Sequence, residues 1–122
     1  MIVADTSIWI DHLRTANPVL TGLIVQERLF VHPFVIAELA LGHVPRRGRF
    51  LDFLAGLPLI GKVSDDHQLS FVEAHTLFGT GLGFVDSHLL ASVATHPEAR
   101  LWSRDKRLHA HAERLELAYP PA

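Results

Sequence analysis

Short apolar runs that alternate with helical patterns are the feature that most constrains the fold of this chain. Met1 to Ala4 reads as a short buried strand, and similar runs follow at Leu29 to Val31, Leu59 to Val63 and Arg100 to Trp102. The stretches between them space their apolar residues as helices do. Strands joined by helices pair in parallel and carry helices on both faces of the sheet. The pattern therefore predicts an α/β fold, a three-layer α/β/α sandwich with a central, mostly parallel sheet.

Local signals set the ends of the predicted helices. Pro33 and Gly42 bracket one helix, because proline is favoured at helix starts and glycine at helix ends. Another helix starts after Ser64 and ends in a glycine-rich loop over residues 79–83. Further helices are predicted over 85–95 and 106–114, one more begins near Phe50, and residues 115–119 read as a final strand or an extended tail.

Length and composition limit the class of protein. The chain has 122 residues, of which 48% are hydrophobic, enough for one domain with a substantial core, so we predict a single domain over residues 1–122. It contains no cysteine, which excludes disulfides and thiolate metal sites and is compatible with a reducing compartment. No apolar run approaches the roughly 20 residues of a membrane helix. We therefore expect a cytoplasmic protein that does not associate with membranes.

The charge balance is mildly acidic. A formal net charge of −2 differs from the strongly basic balance of proteins that grip nucleic acid through phosphate contacts alone. A role with nucleic acid would therefore require local positive charge. Two basic clusters offer it, namely Arg46, Arg47 and Arg49, and Arg104, Lys106 and Arg107. Such clusters are most often solvated surface, so they do not by themselves indicate a nucleic-acid site.

Two aspartates occupy the same kind of position, between a strand and a helix. Asp5 follows the apolar run that opens the chain, and Asp105 follows Leu101 and Trp102 and precedes a helical pattern. Each aspartate alone is explained as a helix N-cap, whose side chain accepts free backbone N–H groups. In an open parallel sheet, however, the carboxyl ends of the strands form the crevice where ligands bind. Both aspartates belong at that edge.

Two further carboxylates lie among apolar helical neighbours. Glu38 has Phe34 and Leu41 about one turn away, and Asp86 has Leu89 at the same spacing, which predicts that both carboxylates face the core. Burying an unpaired carboxylate costs several kcal/mol. A partner, hydrogen bonds or a metal must therefore neutralise it, and a structural ion pair is the simpler explanation of either residue alone.

The carboxylates considered together favour a metal site. The set that can converge at the carboxyl edge of the sheet is Asp5, Glu38, Asp86 and Asp105. Clustered carboxylates repel one another unless a cation lies between them. Oxygen ligands without thiolates or matched histidines favour Mg²⁺ or Mn²⁺ over Zn²⁺. Such ions can activate water toward a phosphodiester and supply the positive charge that RNA binding needs. Supporting hydroxyl groups would come from Thr6, Ser7 and Ser103.

The order and spacing of these residues resemble a known family, the PIN-domain ribonucleases of the VapC type, which are the toxins of toxin–antitoxin pairs. The resemblance extends over nearly the whole chain. It rests on Asp5-Thr6-Ser7, Val35-Ile36-Ala37-Glu38-Leu39 followed by Gly42, Val85-Asp86-Ser87-His88-Leu89-Leu90-Ala91, and Trp102-Ser103-Arg104-Asp105. Each motif alone is weak, but their combination in this order is specific.

The resemblance implies a PIN-like fold and an acidic pocket that binds Mg²⁺ or Mn²⁺ and cleaves RNA endonucleolytically. It also implies a homodimer and a cognate antitoxin that covers the pocket and lies along apolar helices. Carried over by position, the catalytic and metal-binding residues are Asp5, Glu38, Asp86 and Asp105, with Thr6 and Ser103 in support. Ser103 stands where the family more often has threonine, and Arg107 stands where some members have a further acid, so a fifth metal ligand is not expected.

Large apolar side chains on the predicted helices are candidates for contact with the antitoxin. The set is Trp9, Leu13, Phe50, Leu51, Phe53 and Leu54. The alternative is that these residues belong to the core, because every helix must bury one stripe. The nine histidines show no zinc-ligand spacing, although His88, two residues after Asp86, is expected near the mouth of the acidic pocket.

Two other functions stay open at this point. A receiver-like signalling domain would bind Mg²⁺ in its acidic pocket and accept a phosphoryl group on an aspartate. Its best candidates, Asp65 and Asp66, look more like helix caps. A non-catalytic interaction module would hold its carboxylates in ion pairs and would show no dependence on metal.

Overall fold

A computed structural model describes residues 1–119 of the chain. The last three residues of the predicted single domain, 120–122, lie outside this range. Within residues 1–119 the chain forms three strands and seven helices: β1 Ile2–Ala4, α1 Thr6–Arg14, α2 Pro18–Val25, β2 Leu29–Phe30, α3 Pro33–Leu41, α4 Arg47–Ala55, α5 Asp65–Ala74, α6 Phe84–Ala94, β3 Arg100–Trp102 and α7 Lys106–Arg114. Along the part of the chain that the structure describes, no helix is long and apolar enough to cross a membrane.

The three strands form one parallel sheet in the order β2-β1-β3. Strand β1 lies in the centre, with Val3 opposite Phe30 on one side and Leu101 on the other. All three residues of β1 are buried, which is what an uninterrupted apolar run covered by helices on both faces requires. The parallel sheet and the α/β fold predicted from the sequence are confirmed.

The strand predicted over 59–63 was wrong in extent, and of the two alternatives for 115–119, a final strand or an extended tail, the tail holds because no regular strand forms there. Segment 59–63 contributes one bridge, Val31 to Leu59, and segment 115–119 contributes one bridge, Leu101 to Ala118. Each bridge extends the sheet by a single residue on one edge. In segment 59–63 only Ile60 is buried. The segment therefore lacks a second buried side chain that would fix its register beside β2.

Side-chain caps explain where the helices around the sheet begin. Asp5 accepts from the Ile8 N–H at the start of α1, and Asp105 accepts from the Leu108 N–H at the start of α7. Helix α4 begins at Arg47, three residues earlier than the sequence predicted. The Arg47 guanidinium donates to the Ala40 carbonyl oxygen at 3.1 and 2.8 Å, so this arginine closes the end of α3.

The core lies between the sheet and its helices and includes both tryptophans. Trp9 and Trp102 have 0% and 1% of their surface exposed. The Trp9 ring meets Phe50 and Phe53 edge-on at 5.9 and 6.4 Å and so joins α1 to α4. The prediction that Trp9 and Leu54 contact a partner was wrong, because both side chains are fully buried.

Candidate active site

Carboxylates from four segments line one cavity at the carboxyl edge of the sheet. The cavity has a volume of about 140 Å³ and is lined by Asp5, Thr6, Ser7, Glu38, Asp86, Leu89 and Asp105. The ends of β1 and β3 meet there, since the Asp5 N–H donates to the Trp102 carbonyl oxygen at 3.0 Å. The structure thus brings together the whole predicted carboxylate set.

Asp5 is the buried member of the set, with 5% of its surface exposed. One carboxylate oxygen, Oδ1, accepts from the Ser7 hydroxyl and from the Ile8 N–H, and the other, Oδ2, accepts from the Ser103 hydroxyl. Burial raises the pKa of Asp5 above its ordinary value, while the hydrogen bonds from Ser103 and Ser7 act against this rise. The carboxylate is therefore held in one orientation and is harder to ionise than a solvated aspartate.

The two serine hydroxyls also fix the segment that carries Asp105. Ser103 Oγ accepts from the Asp105 N–H and Ser7 Oγ accepts from the Arg104 N–H, each at 3.0 Å. The carboxylate of Asp5, the two hydroxyls and this backbone form one continuous network. Ser103 was predicted as a supporting residue and lies at the centre of the network.

Glu38 lies at the rim of the cavity, and its side chain is exposed. The expectation that its helical neighbours bury it was wrong. Val35 and Leu39 form the buried stripe of α3, whereas Glu38 is turned toward α1. There the Thr6 hydroxyl donates to Glu38 Oε1 at 2.8 Å. This hydrogen bond orients a carboxylate that is otherwise exposed to solvent.

Asp86 lies half-buried in the first turn of α6. Its Oδ2 accepts from the Gly83 N–H at 3.4 Å. Burial is the main cause that raises the pKa of Asp86, and the negative charges of Asp105, Asp5 and Glu38 raise it further. Asp86 therefore lies in the electrostatic field of all the other carboxylates in the cavity.

Asp105 is exposed, and one of its oxygens, Oδ1, accepts from the Leu108 N–H at 3.0 Å. The N-cap prediction and the site prediction are compatible here, because a capping carboxylate uses one oxygen and leaves the other to face the cavity. The alternative phosphoryl acceptors, Asp65 and Asp66, lie exposed in the first turn of α5 and do not line the cavity.

The donor set fits a hard divalent cation in its chemistry. Every polar side chain lining the cavity offers oxygen, and none of the lining residues is basic, so the carboxylate charge is uncompensated at short range. Among residues 1–119, no three histidine or carboxylate groups lie close enough to form a ready-made metal cluster. Mg²⁺ keeps several of its waters and binds proteins through one or two carboxylates, so a wide acidic cavity suits it.

Two arginines beside the cavity are held by other groups. Arg104 Nε forms an ion pair with Asp11 Oδ2 at 2.7 Å on the surface. Arg107 Nη1 donates to the Gly81 carbonyl oxygen at 3.2 Å, which joins α7 to the loop that precedes Asp86. This second contact could not be predicted from the sequence, because it depends on the path of the loop at residues 79–83.

His88 does not reach the mouth of the cavity, contrary to expectation. Its side chain is 1% exposed and packs against Phe34 and Phe84. Two residues along a helix amount to about 200° of rotation, so His88 and Asp86 point to nearly opposite sides of α6.

A larger groove adjoins the cavity and shares Thr6 and Glu38 with it. We call it the apolar groove; its volume is about 260 Å³, and its other lining residues include Ile10, Leu13, Arg14, Leu39 and Val44. Of the residues predicted to contact an antitoxin, Leu13 lines this groove, and Phe53 is 43% exposed on α4 but is not part of the groove lining. Any chain seated in the groove would therefore reach the edge of the carboxylate cavity.

Comparison with known proteins gives relatives over most of the chain, although no family profile matches it. Two proteins named Ribonuclease VapC32, from two strains of Mycobacterium tuberculosis, are 49% identical to it over 110 residues, which is 90% of this chain and 89% of each relative. The crystal structure of PAE2754 from Pyrobaculum aerophilum aligns with a TM-score of 0.62 and 21% identity, covering 93% of this chain and 92% of that one. At this identity the second similarity supports the fold alone.

Proposed function

The chain belongs to the VapC family of PIN-domain ribonucleases, and we propose that it is an endoribonuclease whose carboxylate cavity binds Mg²⁺ or Mn²⁺ and cleaves RNA phosphodiester bonds. The observation that carries the proposal is the convergence of Asp5, Glu38, Asp86 and Asp105 on one cavity. The pKa of Asp86, raised mainly by burial and further by the charges of Asp105, Asp5 and Glu38, supports it. This arrangement is costly for folding alone and is relieved by a cation.

A divalent cation, when bound, would polarise the phosphate and lower the pKa of a coordinated water. The chain's own residues would hold and orient it. Asp5 offers a carboxylate whose orientation the hydroxyls of Ser7 and Ser103 fix. Glu38, oriented by Thr6, and Asp86 would contribute further oxygens from the lining of the cavity. Asp105 would contribute the oxygen that does not cap α7.

The proposed roles predict a defined cleavage phenotype. Purified protein should cut a mixed cellular RNA pool into discrete fragments with Mn²⁺ or Mg²⁺, and EDTA should abolish cleavage. Asp5→Asn should remove cleavage while the fold is retained. Asp52→Asn is a matched control, because Asp52 is exposed on α4 and does not line the cavity. Equal cleavage by wild type and Asp5→Asn would contradict the proposal.

A cognate antitoxin is the proposed partner, and the apolar groove is its proposed seat. The groove shares Thr6 and Glu38 with the cavity, so an occupant with a basic side chain at that end would neutralise the carboxylates and block access of RNA. Homodimerisation stays a prediction from the family resemblance, and a cytoplasmic location stays a prediction from the composition of the chain. Leu13→Asp, which places a charge in the apolar lining of the groove, should weaken antitoxin binding, measured by calorimetry, without removing RNA cleavage.

A further inference from the structure

We propose that Phe34 and Phe84, with Lys62 beside them, form a subsite that stacks a nucleobase of the RNA next to the carboxylate cavity. This inference rests on the proposed ribonuclease function. The subsite would be a second point of contact with the RNA, separate from the scissile phosphate.

The two phenyl rings form a stacked pair at the surface. Their centroids are 6.1 Å apart, and their planes differ by 28°. Phe84 is 60% exposed although it is a large apolar residue, and Phe34 is half-buried. A base that stacks on the exposed ring would cover surface that the folded chain leaves in water.

The imidazole ring of His88 packs against both phenyl rings. It meets Phe34 and Phe84 at 4.9 and 4.6 Å in edge-on geometry. The ring is 1% exposed, and neither of its nitrogens has a hydrogen-bond partner among the described residues. A buried imidazole without partners costs free energy. The cluster is therefore not optimised for stability alone, which is typical of residues kept for binding.

The position of the pair connects it with the cavity. Phe34 lies one helical turn before Glu38 on α3, so the two side chains occupy the same side of that helix. Phe84 opens α6 two residues before Asp86, so these two side chains leave α6 on nearly opposite sides. The stacked pair therefore adjoins the cavity through α3, where Phe34 lies one helical turn from Glu38 on the cavity rim.

Lys62 supplies the charge that favours RNA as the occupant. Its Nζ lies 5.6 Å from the centroid of the Phe34 ring. The carboxylates repel a phosphate chain, so nearby RNA needs local positive charge. Aromatic rings flanked by cations are the combination that binds single-stranded nucleic acid, with bases on the rings and phosphates on the cations. An apolar protein partner would instead have to desolvate this ammonium group.

Steady-state cleavage of a short single-stranded RNA tests the subsite. Phe84→Ala and Phe84→Leu should each raise KM about tenfold, because loss of one stacked base costs roughly this factor or more. Phe84→Trp should retain KM, since it keeps an aromatic face. Leu41→Ala is the control, because Leu41 is 90% exposed on the same helix as Phe34. Unchanged KM in both the alanine and the leucine variant would overturn the proposal.

Fluorescence of the Phe84→Trp variant provides a direct signature. Trp9 and Trp102 are buried, so the new indole is the one that solvent and RNA can reach. Stacking by a base should quench its emission as the oligonucleotide is added in EDTA. No RNA binding by fluorescence anisotropy in EDTA, or binding without quenching, would contradict the subsite.

Sedimentation of wild type and Phe84→Ala separates this subsite from a contact between two copies of the chain. An unchanged oligomeric state together with weakened RNA binding supports the proposal, whereas a dimer that dissociates on substitution overturns it. The binding assays in EDTA do not depend on catalysis. If wild type cleaves no RNA, the proposed function fails, while the anisotropy and quenching results still decide on the subsite.

Discussion

His32 predicts how the fold responds to acid. The residue has no exposed surface and caps α3, where its Nδ1 accepts from the Phe34 N–H at 3.0 Å. Nε2 must then carry the proton and donate to Ser92 Oγ at 3.1 Å. Protonation of Nδ1 would remove the cap. Burial, with the nearby charges of His88 and Lys62, accordingly lowers the pKa of His32 from 6.5 to about 4.

The lowered pKa sets the sign and size of the effect. Because the folded state resists protonation, the contribution of His32 to stability is complete above pH 6.5 and is lost as the pH falls toward 4. Each pKa unit corresponds to about 1.4 kcal/mol, so the shift from 6.5 to about 4 gives roughly 3 kcal/mol.

The assay is urea unfolding of wild type and His32→Asn between pH 7.5 and 4. Asparagine is a strong N-cap that does not titrate here, so it keeps the start of α3 without the pH response. The wild type should lose about 3 kcal/mol more than the variant over this interval. Parallel pH profiles for the two proteins would refute the assignment of the acid response to His32.

Three further predictions concern the cavity and the loop beside it. Ser103→Ala should lower the free energy of unfolding in urea by about 2 kcal/mol, because a buried carboxylate loses a hydroxyl donor, whereas Ser103→Thr should lower it little. Asp86→Asn should stabilise the protein in EDTA at neutral pH, and the gain should vanish below pH 3.8, where the aspartate is protonated even when unfolded. Gly81→Ala should lower the melting temperature more than Gly79→Ala. Both glycines have positive φ, but only a Cβ at Gly81 would meet the Arg107 guanidinium, at 2.5 Å.

Buried apolar runs and caps were the predictable part of the fold. Strand β3 and helix α7 have the predicted bounds, because a short apolar run between turn signals has one stable place in such a sheet. Asp5 and Asp105 followed from the same logic, since an acid directly after a strand falls at the carboxyl edge of the sheet. The order of strands and helices was therefore sufficient to predict that the carboxylates converge.

The orientation of single side chains was not predictable from local spacing. Glu38 has apolar neighbours on its helix, yet it is exposed, because its surroundings depend on where α1 crosses α3 and presents Thr6. Trp9 and Phe53 have the same apolar character, yet one is fully buried and the other is 43% exposed. Amphipathic spacing identifies a stripe but not its depth, which depends on packing between helices distant in sequence.

Binding of Mn²⁺ to the purified protein tests the central claim most directly. The electron paramagnetic resonance signal of free Mn²⁺ falls as the ion binds, so a titration gives the affinity without RNA. Wild type and Asp52→Asn should bind Mn²⁺ alike, and Asp5→Asn and Asp86→Asn should bind at least about tenfold more weakly. Equal Mn²⁺ affinity in all four proteins would contradict the assignment of the carboxylate cavity as the metal site.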